Sequence, residues 1–112
     1  MGITHIVLFQ FKESASPGEI SEVSQRMLAL KESCIHPTTQ KPYIMSASGG
    51  TDNSSEGIQN GITHAFIVEF KTAEDRDYYV YKDPTHAEFK ELAGQFLEKA
   101  QVIDFTDGVF MP

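Results

Sequence analysis

An eleven-residue stretch occurs twice in the chain, first as residues 2–12 and again as residues 61–71. Glycine, isoleucine, threonine, histidine, phenylalanine and lysine recur between the two copies at a constant spacing of 59 residues. Every second residue in each copy is apolar apart from one histidine, and a period of two is that of a β-strand. The repeat therefore predicts a duplicated half-domain, with His5 and His64 each on the most hydrophobic face of a strand.

The length and charge of the chain narrow the class of protein. The chain has 112 residues, so residues 1–112 are expected to form a single domain around one core. The formal net charge of −7 argues against nucleic acid or an anionic membrane as a partner, because both attract clustered Lys and Arg. No apolar run reaches the ~18 residues of a membrane span, and the start lacks the pattern of a signal peptide. With a single cysteine, Cys34, these features predict a cytoplasmic protein.

The hydrophobic pattern predicts an alternation of strands and helices. Ser16 and Glu19 flank Pro17 as a capping box, which predicts that a helix begins there. Asp83 and Pro84 are expected to end one helix and start another. The predicted strands cover residues 3–11, 43–48, 62–71 and 102–105, with an extension of the last strand to residue 110 left open, and the predicted helices begin near residues 17, 73 and 84.

This order of elements matches the ferredoxin-like split βαβ arrangement. The expected fold class is therefore α+β, with βαββαβ connectivity and a four-stranded antiparallel sheet. Residues 51–60 consist of Asp, Asn, Ser, Gly and other polar residues, so they are expected to form a long surface loop. Such a loop could act as a lid or could be a tolerated insertion.

Three histidines are expected to lie close together. His86 falls on the apolar face of the last helix and should point at the sheet. If the two repeat strands are parallel neighbours in the sheet centre, His5 and His64 lie level, ~4.8 Å apart. Counting ~3.3 Å per strand residue and ~1.5 Å per helix residue places His86 at the same height. This count predicts a site between the sheet and the helices.

Four short motifs follow one another along the chain. The chain opens with Thr-His-x-Val-Leu-Phe-x-Phe-Lys, and a second Gly-x-Thr-His precedes the third predicted strand. Tyr-x-x-x-x-Pro-x-His-x-x-Phe and a closing Asp-Phe come after it. As a set, over residues 3–110, these motifs resemble the stress-responsive A/B barrel domain family. The resemblance implies a ferredoxin-like protein that dimerises so that two sheets close into an α+β barrel.

The implied homodimer would form through the sheet face opposite the helices. The partly apolar second face of the repeat strands agrees with this, because a solvent-exposed face would be mostly polar. The residues expected on this covered face are Ile6, Leu8, Ala65 and Ile67.

The resemblance also implies candidate site residues. A polyketide cyclase of the family works without a cofactor, through a histidine and a tyrosine of its second helix, and strand histidines line its pocket. His86 matches the catalytic histidine, whereas His5 and His64 match the strand histidines. The remaining pocket wall is expected to come from Val7, Phe66, Met27 and Phe89.

The tyrosine of this pair fits the family spacing less closely. Four residues before the proline, where the family has tyrosine, this chain has Val80, between Tyr79 and Tyr81. A slip of one residue at the helix break would place Tyr79 in the phenol position, so Tyr79 is the predicted catalytic tyrosine. Tyr81 stays an alternative.

The chemistry of these residue types agrees with a base-catalysed reaction. The first turn of a helix and apolar surroundings both disfavour the imidazolium form of His86. A neutral imidazole is a suitable general base near pH 7, and a nearby phenol could stabilise an enolate. The predicted function is therefore a cofactor-independent lyase or cyclase acting on a small hydrophobic carbonyl compound such as a polyketide. Proton abstraction would precede aldol closure or dehydration.

Other functions remain open at this point. Three histidines could bind zinc, but no short-spaced ligand pair is present, so neither a metal nor another cofactor is expected. Each histidine could be a core residue with its hydrogen bonds satisfied, which would make the chain a non-enzymatic dimeric barrel protein. A cofactor-free monooxygenase acting on electron-rich quinols is the third alternative.

Overall fold

The computed structural model describes residues 2–111, which form four strands and three helices. The fold is α+β and ferredoxin-like, as the sequence predicts. The element bounds are β1 (Ile3–Phe11), α1 (Pro17–Ser33), β2 (Ile44–Thr51), β3 (His64–Phe70), α2 (Ala73–Tyr81), α3 (Pro84–Gly94) and β4 (Leu97–Phe105). The last strand begins five residues earlier than the hydrophobic pattern indicates, because apolar and polar residues alternate only weakly over residues 97–101.

Side-chain caps explain where the helices begin. Ser16 accepts a hydrogen bond from the Glu19 backbone while the Glu19 side chain accepts one from the Ser16 backbone, so the predicted capping box is present. Asp83 caps α3 and Pro84 occupies its first turn, which separates α3 from α2 at the predicted break.

The sheet order is β2-β3-β1-β4, and every neighbouring pair is antiparallel. The expectation that the two repeat strands run parallel was wrong. Since α1 returns the chain so that β2 runs parallel to β1, and β3 lies between them, β3 runs opposite to both. His5 pairs with Val68, whereas His64 pairs with Phe9. The two histidines are thus four residues apart along the strands, ~13 Å, and not level.

One face of the sheet packs against the helices and forms the core. Buried strand residues alternate along β1 and β3, and the helix α1 contributes Val23, Met27 and Leu30. The side chains with almost no exposure are Tyr79, Phe66, Phe70, Met27, Val23, Val68 and Cys34. The helices therefore cover only one face of the sheet.

The other face of the sheet carries apolar residues that no helix covers. Ile6 and Leu8 are half-buried and Ala65 and Ile67 are exposed, and all four point away from the helices, as expected. Strand β4 extends this surface with two exposed side chains opposite Ile6 and Thr4, namely Ile103 and Phe105. We call this surface of β1, β3 and β4 the outer face.

Candidate active site

A cavity of about 340 Å³ lies between α3 and the strands β1 and β4. This volume suits a small ligand. Its wall is mostly aliphatic and aromatic, with His5, His86 and Lys90 as the polar exceptions. Five of the eight predicted site residues line it: His5, Val7, Met27, His86 and Phe89.

His86 is positioned by its backbone and by its ring. The buried carboxylate of Asp83 accepts hydrogen bonds from the backbone N–H groups of Thr85 (2.8 Å) and His86 (3.3 Å), which fixes the start of α3. The His86 Nδ1 lies 2.8 Å from the carbonyl oxygen of Tyr79. Because a carbonyl can only accept, Nδ1 carries the proton and Nε2 is left as an acceptor.

The surroundings of His86 keep its ring neutral. Burial lowers the pKa of His86 to about 4, and the positive charge of Lys90 acts in the same direction. The hydrogen bond to the Tyr79 carbonyl opposes this shift but is the smaller effect. At pH 7 the imidazole is therefore uncharged, with its Nε2 lone pair free to accept a proton.

His5 belongs to a second polar group. Its Nδ1 donates to a carboxylate oxygen of Asp104 at 2.6 Å, and Arg76 donates to the other oxygen of Asp104 at 2.9 Å. The pairing of β1 with β4 brings His5 and Asp104 directly opposite each other. Charge-assisted bonds of this kind hold an imidazole in one orientation, and here they leave Nε2 for a ligand.

Both Nε2 atoms retain some access. Within residues 2–111, the only completely buried side-chain nitrogen or oxygen atoms without a hydrogen-bond partner are the Ser24 and Tyr79 hydroxyl oxygens. No protein partner is found for Nε2 of His5 or His86 in the same range. The Nε2 atoms of both histidines are therefore accessible in the cavity that these residues line.

Tyr79 lies behind His86, and it does not line the cavity. Its ring stacks on the imidazole of His86, with centroids 3.7 Å apart and planes 15° apart, and its edge meets His5 at 5.7 Å. Burial raises the pKa of the Tyr79 hydroxyl, and this hydroxyl has no partner within the described chain. Val80 lines the cavity instead, and Tyr81 is 79% exposed.

His64 and Phe66 lie on β3, one strand away from β1 on the side opposite β4. The imidazole of His64 meets the ring of Phe11 at 4.9 Å and lies within 3.4 Å of the Thr51 hydroxyl. Burial lowers the pKa of His64. Phe66 is buried next to the backbone of Gly49. Neither residue reaches the cavity, because the cavity lies over β1 and β4 and β3 is on the other side of β1.

Several supporting residues are not evident from the sequence. Asp104 contacts His5 across 99 positions of the chain, and Tyr43 donates to Asp83 at 2.5 Å across 40. The closing Asp-Phe motif includes Asp104, but nothing local indicates its partner. Cys34 is fully buried, and burial together with Asp83 raises the pKa of its thiol, so it is an unreactive core residue.

Two further properties concern metals and membranes. Residues 2–111 contain no group of three His, Cys, Asp or Glu side chains arranged to hold a metal ion. None of the helices within residues 2–111 has the length and apolar character needed to cross a membrane.

The fold and the motifs together define a protein of the α+β barrel class. The family described as Stress responsive A/B Barrel Domain matches residues 3–107. The chain belongs to this family.

Known proteins resemble the chain over nearly its full length. The stress-response A/B barrel domain-containing protein HS1 of Arabidopsis thaliana is 30% identical over 103 residues, which are 92% of this chain and 87% of that protein. The hydroxynitrile lyase of Passiflora edulis superposes with a TM-score of 0.80 at 23% identity, covering 98% of this chain and 97% of the lyase. A dimeric ferredoxin-like protein of unknown function from Jannaschia sp. CCS1 gives a TM-score of 0.75 at 15% identity, covering 95% and 99%. The two structural matches share the fold.

Proposed function

We propose that the chain is a cofactor-independent lyase or cyclase that removes a proton next to a carbonyl group of a small hydrophobic compound. The observation that carries this proposal is the cavity of about 340 Å³ lined by two imidazoles whose Nδ1 protons are already donated. The remaining wall is apolar, which suits a hydrophobic carbonyl compound. A polyketide is one such compound, and the fold shared with a hydroxynitrile lyase supports the broader lyase class.

The proposed reaction begins at an Nε2 atom. The imidazole takes a proton from the carbon next to the carbonyl, and the electrons of the broken C–H bond form an enolate. In a cyclase the enolate attacks a second carbonyl carbon of the same molecule, and the resulting alkoxide takes the proton back. Loss of water from this alcohol then gives the dehydrated ring.

The two histidines have different environments for this step. The carboxylate of Asp104 accepts from Nδ1 of His5 and so holds this ring in one orientation at the cavity wall. His86 lacks such a carboxylate at Nδ1, and its low pKa keeps it neutral, so that Nε2 can accept a proton. We therefore assign proton abstraction to His86, the base that the sequence predicts, with His5 as its polar neighbour.

Deuterium exchange tests this proposal without knowledge of the natural substrate. Phenylacetone, a small hydrophobic ketone, would be incubated with the protein in D₂O, and the loss of its CH₂ signal would be followed by proton NMR. Wild type should accelerate the exchange over buffer. His86→Gln should lower the protein-dependent rate roughly a hundredfold, within the usual range for general base catalysis.

The matched control is His36→Gln, which alters a half-buried loop histidine outside the cavity. Thermal unfolding of each variant would show whether the fold is kept. Unchanged exchange in a His5→Gln/His86→Gln double variant would refute the proposal.

One observation favours a second candidate, a non-enzymatic barrel that sequesters a ligand. The cavity has no phenol, because Val80 lines it where the family enzyme has a tyrosine and the Tyr79 hydroxyl is buried elsewhere. Binding of phenylacetone without any accelerated exchange would support this second function.

We also propose that the outer face forms a homodimer. Its exposed apolar side chains, Ile67, Ile103 and Phe105, are the kind of surface that protein–protein interfaces cover. Structural neighbours with the same fold are described as dimeric. A cytoplasmic location stays a prediction from the sequence.

A further inference from the structure

Lys90 lies one helical turn after His86, on the same side of α3. Both residues line the cavity, together with Val80, whose carbonyl oxygen is 3.4 Å from the Lys90 Nζ. This long hydrogen bond uses one of the three N–H donors of the ammonium group. Because Lys90 is exposed, the other two are available to a ligand.

The cavity contains no balancing negative charge. Among residues 2–111, no Asp or Glu side chain lines it. The two acids that contact His5 and His86 are already engaged, since Asp104 binds His5 and Arg76, and Asp83 binds the start of α3 and Tyr43. In a chain with a net charge of −7, a cavity whose only charged wall residue is a lysine is an exception.

Lys90 is also the main hydrogen-bond donor of the cavity wall. Because His86 is neutral and donates from Nδ1 to the Tyr79 carbonyl, its ring presents only an acceptor to a ligand. Apart from His5, the other wall residues have apolar side chains or, at Gly94, none. A ligand oxygen that carries negative charge therefore finds its partner at Lys90.

We propose that the ligand of this cavity is a hydrophobic oxo acid, whose carboxylate binds the Lys90 ammonium. The apolar part of the ligand would lie against Val7, Met27 and Phe89, with the carbonyl group near the imidazoles. An oxo acid would be the substrate class of the proposed lyase or cyclase, so this proposal rests on the proposed function for the location of the site. Its test measures binding, so that it can fail separately from catalysis.

Two probes that differ by one group give the comparison. Phenylpyruvate carries a carboxylate where phenylacetone carries a methyl group. Dissociation constants would be measured for both by chemical-shift titration at pH 7.5. Wild type should bind phenylpyruvate about tenfold more tightly, as a charge-assisted hydrogen bond would give.

Three variants assign the difference to Lys90. Lys90→Gln should remove most of the preference for the acid while leaving phenylacetone binding unchanged. Lys90→Arg keeps the charge and should keep the preference. Lys82→Gln, an exposed lysine outside the cavity, makes the same change in net charge and should have no effect.

Each contrary result overturns the inference. Equal binding of the two probes to wild type would refute it, and so would a preference that survives Lys90→Gln. Absence of binding by both probes would refute it as well. Failure of the deuterium exchange alone would refute the lyase or cyclase and leave the oxo-acid inference standing.

Discussion

The imidazole of His86 stacks on the ring of Tyr79 at 3.7 Å and donates its Nδ1 proton to the carbonyl oxygen of the same residue. One residue thus fixes both the tilt and the tautomer of the imidazole. This arrangement turns the Tyr79 hydroxyl into the core, away from the cavity that His86 lines. Tyr79 therefore supports His86 through its ring and its backbone, while its hydroxyl does not reach the cavity.

This geometry makes Tyr79→Phe a direct test of the phenol. The substitution keeps the stacking and the carbonyl and removes a buried hydroxyl that has no partner. We expect phenylacetone exchange to stay within about threefold of wild type and stability to be equal or higher, since an unsatisfied polar group is costly. NMR exchange and thermal unfolding would measure both. A hundredfold slower exchange would show that the phenol is catalytic after all.

The low pKa of His86 predicts how stability depends on pH. In the folded state His86 stays neutral down to a pKa of about 4, whereas its ordinary value is 6.5. Between these values the unfolded chain binds more protons, so acid favours unfolding and stability falls as the pH drops from 7 towards 4. The loss reaches about 3 kcal/mol.

The measurement compares urea unfolding of wild type and His86→Gln from pH 7 to pH 5. Taking the difference removes the contribution of the carboxylates, which both proteins share. The variant should show a flatter dependence over this range. Parallel curves for the two proteins would contradict a depressed His86 pKa.

The contact between Asp104 and His5 predicts a selective loss of catalysis. Asp104→Asn removes the carboxylate that holds the His5 ring in place beside His86, so exchange should slow roughly tenfold. Asp77 offers a matched control, because it also binds Arg76, at 2.7 Å, but does not touch His5. Asp77→Asn should leave exchange unchanged. Equal slowing in both variants would point to Arg76 or to net charge instead.

Tyr43 predicts a cost in stability. Its hydroxyl donates to the buried carboxylate of Asp83, and burial together with this contact raises the pKa of Tyr43. Tyr43→Phe leaves that carboxylate one bond short and should lower the free energy of unfolding by about 1–3 kcal/mol. The same change at the exposed Tyr81 should cost almost nothing. Chemical denaturation would measure both, and equal effects would argue against the Tyr43–Asp83 bond.

If the outer face forms a homodimer, one charged substitution within it should prevent dimerisation. Ile103 is 49% exposed and lies on the edge strand β4, opposite Ile6 of β1. Ile103→Lys should give a monomer by light scattering at micromolar concentration, because an unpaired charge would be buried at the contact. Ile35→Lys changes an exposed isoleucine in the loop that follows α1 and should remain dimeric. A monomeric wild type would exclude the homodimer.

Local patterns predict the elements of this fold well. The period of two in residues 3–11 and the capping chemistry at Ser16 and Asp83 each act within a few residues, so the sequence displays them directly. The site is different, because it depends on pairing. His5 meets Asp104 only through the register of β1 and β4, and no local pattern encodes that register.

The direction of a neighbouring strand is equally hidden. His5 and His64 occupy the same position in their repeats, which suggested one shared site. Their positions in space depend on whether β1 and β3 are parallel or antiparallel. The connection through α1 determines this direction. At the end of α2, Tyr79, Val80 and Tyr81 are about 100° apart around the helix, so a one-residue ambiguity decides which side chain lines the cavity.

The antiparallel pairing of the two repeats has a consequence for how the halves evolve. Strands that run in opposite directions are related by a twofold axis between them, so each half supplies the surroundings of the other half's histidine. Each copy can therefore change its histidine without disturbing its counterpart. In one copy, His5 contacts the carboxylate of Asp104 and lines the cavity. In the other, His64 lies against the ring of Phe11 and the Thr51 hydroxyl, so a substitution in one copy leaves the surroundings of the other histidine in place.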